Sequence, residues 1–149
     1  MKRVILILML VATPKLFAQI YDPVSWSFNA TKTGSNTYEI IATATLEGEW
    51  HIYSQFTDHN GPIPTEFVFE TPTNLNLLGA TIENGELHEK FEEVFDANTK
   101  YFETKVDFVQ KIKITDIQQP ITGYVYYMVC NNESCLPPKE VAFNIKLPK

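Results

Sequence analysis

Two cysteines, Cys130 and Cys135, stand with four residues between them in the stretch Tyr126-Tyr127-Met128-Val129-Cys130-Asn131-Asn132-Glu133-Ser134-Cys135-Leu136-Pro137-Pro138, and the chain has no others. Three chemistries are open to such a pair: a structural disulfide, half of a metal site, or a dithiol that cycles between reduced and oxidised forms. As a staple the pair is weak. A disulfide stabilises by restricting the unfolded chain, and closing a loop of about six residues yields about 2 kcal/mol, against about 4.7 kcal/mol for a loop of about 100. As a metal site it is incomplete. Two thiolates need two further ligands, and His51, His59 and His88 stand at no zinc-like spacing from one another. Neither a metal nor any other cofactor is therefore expected.

The dithiol reading has more behind it. Asn131, Asn132, Glu133 and Ser134 are polar loop formers that place the pair at an exposed tip, and Pro137-Pro138 stiffens the chain just after Cys135. A local bridge kept only for loop shape is the alternative. Exchange proceeds through the thiolate, whose formation is favoured by nearby cations or a helix N-terminus. Here Glu133 and Glu140 flank the pair and Lys139 is the one cation close in sequence. Ordinary or raised thiol pKa values, and a sluggish free dithiol, are the expectation.

The N-terminus bears on whether such a pair meets an oxidising compartment. Met1-Lys2-Arg3 is a short basic start, Val4 to Val11 is unbroken and apolar, Thr13-Pro14 breaks the run, and Ala18 offers a small residue for cleavage. This is the layout of a secretory signal peptide over residues 1–18, with an exported domain over residues 19–149. The apolar run is too short to span a bilayer, which takes roughly 20 residues. Its removal takes Lys2, Arg3 and Lys15 away, leaving nine cations against 18 acids, a net charge of −9 in place of −6. Such an acidic domain, without a basic cluster or a second long apolar run, argues against nucleic-acid partners and against membrane insertion after cleavage.

The rest of the chain reads as strands. Tyr38, Ile40, Ala42, Ala44 and Leu46 alternate on one face of an extended run, as do Phe102, Val106, Phe108, Ile112 and Ile114, and then Val141, Phe143, Ile145 and Leu147. Shorter β-rich pieces fall at Val24–Phe28, Trp50–Phe56, Glu66–Glu70 and Gly123–Val129, with turn signals between the strands that include Glu83-Asn84-Gly85. Only Leu87–Asn98 has helix-compatible spacing, with Leu87, Phe91 and Phe95 four apart. Without a clear N-cap it reads as an irregular loop holding one helical turn. Seven or eight short strands at this spacing predict a single all-β domain, an antiparallel sandwich of immunoglobulin-like type. Nothing around the cysteines has the βαβ pattern of a thioredoxin fold.

Tyr124–Phe143, with its aromatic strand, cysteine, short polar loop, second cysteine and two prolines, resembles the redox segment of the N-terminal periplasmic domain of DsbD, the thiol:disulfide interchange protein. Gly48–Gln55 resembles that family's early glycine–aromatic strand, and Gly85–Phe95 its acidic, aromatic cap loop. The loop between the cysteines has four residues where the best-known members have five. The resemblance implies that Cys135 attacks partners and carries the mixed disulfide, and that Cys130 resolves it. It also implies an aromatic cap, best matched by Phe91 with Phe95 second, whose edges Glu89, Glu92 and Glu93 keep solvated; the alternative is that Phe91 and Phe95 are core residues. Tyr53, Tyr126 and Glu133 are expected near the cysteines. On this reading the chain is a stand-alone relay that takes reducing equivalents from a separate DsbD-like membrane donor and passes them to oxidised thioredoxin-fold proteins. The competing expectation is a redox-inert immunoglobulin-like binding module with a local structural disulfide.

Overall fold

Apolar side chains on alternate residues can be buried only if each strand finds a sheet to join, and the chain builds two. The computed structural model describes residues 21–149 except 73, 116 and 117, so the expected signal segment lies outside the described residues. In chain order the strands are β1 (Val24–Lys32), β2 (Thr37–Leu46), β3 (His51–Tyr53), β4 (Glu66–Thr71), β5 (Asn76–Leu77), β6 (Ile82–Glu92), β7 (Ala97–Lys113), β8 (Ile121–Tyr127), β9 (Val129–Cys130) and β10 (Lys139–Ile145). The first sheet runs β1-β2-β7-β3-β9, with β5 and β6 also paired to β7, and the second runs β10-β8-β4. The pairings are antiparallel.

The alternating faces meet between the sheets. Ile40, Ala42 and Ala44 of β2, Phe102, Val106 and Phe108 of β7, Val125 of β8 and Phe143 of β10 are all buried. Trp26 knits the layers, with its ring centroid 5.9 Å from Phe28, 6.1 Å from Phe67 and 5.3 Å from Tyr127. Offset and edge-on ring pairs add about 0.5–1.5 kcal/mol each beyond the area they bury. The architecture is an immunoglobulin-like antiparallel β-sandwich, and the core does not depend on a bridge between its sheets.

One stretch departs from the sequence expectation. Glu83-Asn84-Gly85 is not a turn, and Leu87–Asn98 is not an irregular loop with a helical turn but two strand ends joined by a turn at residues 93–96. Both belong to a long β6–β7 hairpin, registered from Ile82 opposite Val109 to Glu92 opposite Ala97. Gly85 sits instead at a register shift, where an added Cβ would lie 3.0 Å from the Phe102 ring and 3.1 Å from the Lys105 carbonyl oxygen. The tip closes with Phe95 N donating to Glu92 O and Asp96 N to Glu93 O. Asp96 takes a φ of 52°, a conformation its short polar side chain tolerates. The helical spacing of Leu87 and Phe91 had no apolar surface to face, since they are 46% and 53% exposed. The backbone of β7 offered a full row of partners and won.

A corner in β7 places the strand that matters next. Lys105 still pairs with Thr45 of β2, but Glu103 pairs with His51 of β3, so a single residue on β7, Thr104, faces the five that lie between Thr45 and His51. Thr104 carries a φ of 59°. A branched Cβ in the left-handed region costs roughly 1–2 kcal/mol. Thr104→Asn, at this exposed position, should stabilise the protein by about 1 kcal/mol and raise Tm by about 3 °C in thermal unfolding. An unchanged or lower Tm would show that the corner stores no such strain.

Candidate functional site

Cys130 is delivered by a chain segment that changes sheets. Tyr127, the last residue of β8, pairs with Lys139 in the second sheet, while Val129 pairs with Ile52 in the first. The next register pair is Cys130 with His51. The chain then doubles back. Asn131 N donates to Ser134 O, Leu136 N donates to Val129 O, and the Asn131 side-chain oxygen accepts from Glu133 N at 2.9 Å and Ser134 N at 2.7 Å. An asparagine amide that holds the backbone two and three residues on is a ready-made turn former. Cys135 comes to lie opposite Cys130, with Cα atoms 4.0 Å apart and a disulfide between them.

The two sulfur-bearing residues are unequal. Cys130 is 2% exposed, whereas Cys135 lies on the surface with Asn132, Glu133 and Ser134. Facing them is the tip of the β6–β7 hairpin. Lys90, Phe91, Glu92, Glu93 and Val94, together with His51 and the cysteine loop, enclose an open cleft of about 630 Å³. The hairpin is braced at both ends. Thr99 Oγ1 donates to Lys90 O and to a Glu92 carboxylate oxygen near the tip, and Glu83 accepts from Ser54 Oγ and Gln55 N, each at 2.7 Å, near the base.

Each expected site residue now has a place. Phe91 borders the cleft, half-exposed, with both cysteines across from it. Phe95 is half-buried in the turn and does not line the cleft. Glu133 stands on its rim. Tyr53 is fully buried behind the cleft, its hydroxyl 3.3 Å from His51 Nε2. Tyr126 is not beside the cysteines. It precedes the crossing between sheets, alternates with buried Val125 and Tyr127, and lines a separate cavity of about 440 Å³ with His59 and Phe67. Nor is Lys139 the cation of the site, because it pairs with Asp22 on the other flank of the loop, and that hydrogen bond raises its pKa.

One residue of the cleft, His51, was not expected there. Alternation in Trp50-His51-Ile52-Tyr53 puts His51 on the face opposite buried Ile52, but only the pairing of β3 with β9 sets it next to Cys130. Burial lowers the His51 pKa, against the raising effect of the Glu92 and Glu103 carboxylates, with Lys90 adding to the lowering. Burial also raises the Tyr53 and Tyr101 phenols, so both stay protonated at neutral pH. The cysteine loop itself depends on Asn131. Replacing it by Ala should speed amide hydrogen exchange at Glu133 and Ser134 by about tenfold, or about 1.4 kcal/mol, as expected for losing side-chain-to-backbone hydrogen bonds. Unchanged exchange, read residue by residue by NMR, would mean that the backbone alone holds the loop.

With this geometry in hand, comparison with known proteins is informative. The family model described as "Thiol:disulfide interchange protein DsbD, N-terminal" matches residues 20–147. Among solved structures, the N-terminal periplasmic domain of ScsB from Proteus mirabilis has a TM-score of 0.64 at 16% identity, covering 85% of this chain and 47% of that one. The chain thus spans about half the length of that ScsB chain. The reduced N-terminal domain of Neisseria meningitidis DsbD has a TM-score of 0.59 at 14% identity, covering 83% and 85%. The complex between the DsbD N-terminal and PilB N-terminal domains of Neisseria meningitidis has a TM-score of 0.51 at 12% identity, covering 80% of each chain. At these identities the structures speak to the fold alone. Comparison with curated proteins gave no sequence match. The family match takes in both cysteines, the strand bearing His51 and the hairpin across the cleft, and the chain belongs to the DsbD N-terminal domain family.

Proposed function

We propose that this domain works in the periplasm as a thiol–disulfide exchange module, its Cys130–Cys135 pair relaying reducing equivalents from a DsbD-like membrane donor to oxidised thioredoxin-fold proteins. The observation that carries this reading is the inequality of the pair: one sulfur-bearing residue on the surface of a cleft, the other 2% exposed beneath it. A structural bridge gains nothing from such an arrangement. An exchanging one does, because a protein thiolate meets Cys135 and is directed away from Cys130.

The electrons balance over two exchanges. A donor thiolate attacks Cys135 Sγ, the Cys130–Cys135 bond breaks, and Cys130 leaves as a thiolate that takes up a proton. The donor's second thiol then displaces Cys135 and leaves the donor as a disulfide and this domain as a dithiol. In the forward direction Cys135 attacks the acceptor's disulfide, and Cys130 displaces the acceptor thiol and restores the bridge. Two electrons and two protons pass in each exchange. That a related DsbD N-terminal domain forms a complex with a PilB N-terminal domain supports a protein partner for this domain.

Phe91 serves as the gate. It and Val94 are the exposed apolar groups on a tip otherwise made of Lys90, Glu92 and Glu93. A partner offers binding energy to move the tip, and a small thiol offers almost none. Phe91→Ala should therefore speed reduction of the bridge by glutathione or dithiothreitol by about tenfold, equivalent to about 1.4 kcal/mol. It should lower Tm far less than Phe108→Ala, a fully buried core deletion worth roughly 3–5 kcal/mol. An unchanged reduction rate removes the gate. For the exchange itself, Cys130→Ala should accumulate a mixed disulfide with an oxidised thioredoxin-fold protein through Cys135, and Cys135→Ala should not. The opposite pattern reverses the assignment, and no adduct with either variant would leave a redox-inert binding module.

A further inference from the structure

Cys130 poses a problem that the exchange cycle leaves open. In every turnover its sulfur must gain or lose a proton, yet the residue is 2% exposed. Burial holds a thiol's pKa up and keeps it from attacking. Something beside it has to handle the proton.

The sheet register supplies a group. Glu103 of β7 pairs with His51 of β3, and His51 pairs with Cys130 of β9, so carboxylate, imidazole and thiol lie in one row across three strands. Directly paired antiparallel residues share a face, with Cβ atoms about 4.5–5.5 Å apart. The neighbouring row, Phe102, Ile52 and Val129, points into the core, so the Glu103–His51–Cys130 row points outward toward the cleft. His51 lines that cleft together with both cysteines. Its ring is held by Tyr53, 3.3 Å from Nε2, and packs on Tyr101 with centroids 4.6 Å apart. Among the described residues the ring has no other hydrogen-bond partner, so in the tautomer whose Nε2–H donates to the Tyr53 hydroxyl oxygen, Nδ1 is free to accept a proton.

We propose that His51 is the proton-transfer residue for Cys130, with Glu103 as its positioning residue. The inference rests on the exchange reading only in requiring that Cys130 resolve a mixed disulfide on Cys135. In that step the Cys130 S–H proton passes to His51, and the thiolate attacks Cys135 Sγ. The Cys130–Cys135 bond forms as the bond to the partner sulfur breaks. The partner thiolate departs with the electron pair and is protonated from His51 or solvent. In the reverse direction His51 returns a proton to the departing Cys130 thiolate.

The charges facing His51 suit a base that is free at neutral pH. From β6 come the Glu92 carboxylate and the Lys90 ammonium, from β7 Glu103 and Tyr101, from β3 Tyr53, from β9 Cys130. Glu93 and Glu133 stand on the cleft wall. Burial outweighs the carboxylates and lowers the imidazole pKa, while both phenols stay protonated. Glu103 pulls the other way and keeps the imidazole basic enough to accept a proton.

The test uses the reduced full chain mixed rapidly with one equivalent of dithionitrobenzoate, which needs no protein partner. The first release of coloured thiolate reports attack by Cys135, and the second reports displacement by Cys130. In the natural protein the second phase should be level through neutral pH and fall off below the ordinary histidine value of about 6.5. His51→Gln should slow the second phase about a hundredfold at neutral pH, the low end of what a positioned base contributes. It should also make that phase climb with pH until the thiol titrates on its own, above about 8.5. The first phase should stay within about twofold of the natural rate. Glu103→Gln, a change at an exposed residue that should leave folding intact, should move the low-pH limb to lower pH, because Glu103 raises the imidazole pKa. If His51→Gln slows the second phase equally at every pH, or either variant keeps the natural rate and profile, His51 merely fills space between two tyrosines and the proposal is overturned. Failure to exchange with protein partners would leave this measurement untouched, so the two readings fall separately.

Discussion

Unpaired backbone on a long strand must find partners, and in this protein the strand with most to satisfy is β7, 17 residues from Ala97 to Lys113. β2 and β3 pair with successive lengths of it, and β5 and β6 pair with it as well. Each half of the site follows from one of these pairings. The corner at Thr104 hands β7 from β2 to β3, and β3 then offers its free edge to β9 and hence to Cys130. The β6 pairing carries the hairpin out to a tip that ends across from the same cysteine. The cleft is therefore a product of sheet register rather than of any one loop.

That origin explains the chemistry. A six-residue bridge between Cys130 and Cys135 contributes little to a core already filled by Trp26, Phe67, Phe108 and Phe143. What the fold does with the pair is to hide one residue and present the other, and to stand an acidic hairpin with an apolar Phe91 in front of both. The same register that buries Cys130 sets a histidine directly beside it. The burial of Cys130 and the placing of His51 beside it come from one strand pairing.

What the sequence made legible is what local alternation encodes. Tyr38 to Leu46 and Val141 to Ile145 could only be half-buried strands, and they are, while Leu147 is buried just beyond the end of β10. The polar residues between Cys130 and Cys135 spelled a tight exposed loop, and Asn131 makes it. The hairpin was illegible because Leu87, Phe91 and Phe95 fit a helical spacing, while the decisive partner, the edge of β7, is not a local property. For the same reason Lys139 looked like the nearest cation, although its partner Asp22 is 117 residues away and draws it to the far side of the loop. His51 reaches the cleft only through a pairing that no spacing reveals. Tyr126 missed it by lying two residues short of the crossing at Met128.

Everything functional turns on whether the bridge between Cys130 and Cys135 is made to be broken. The reduction potential of the pair, measured by equilibration with glutathione or dithiothreitol, addresses this most directly. A relay between a reducing donor and thioredoxin-fold acceptors predicts a value of roughly −180 to −230 mV. A value below about −300 mV would place the pair among structural disulfides and contradict thiol exchange as the work of this domain.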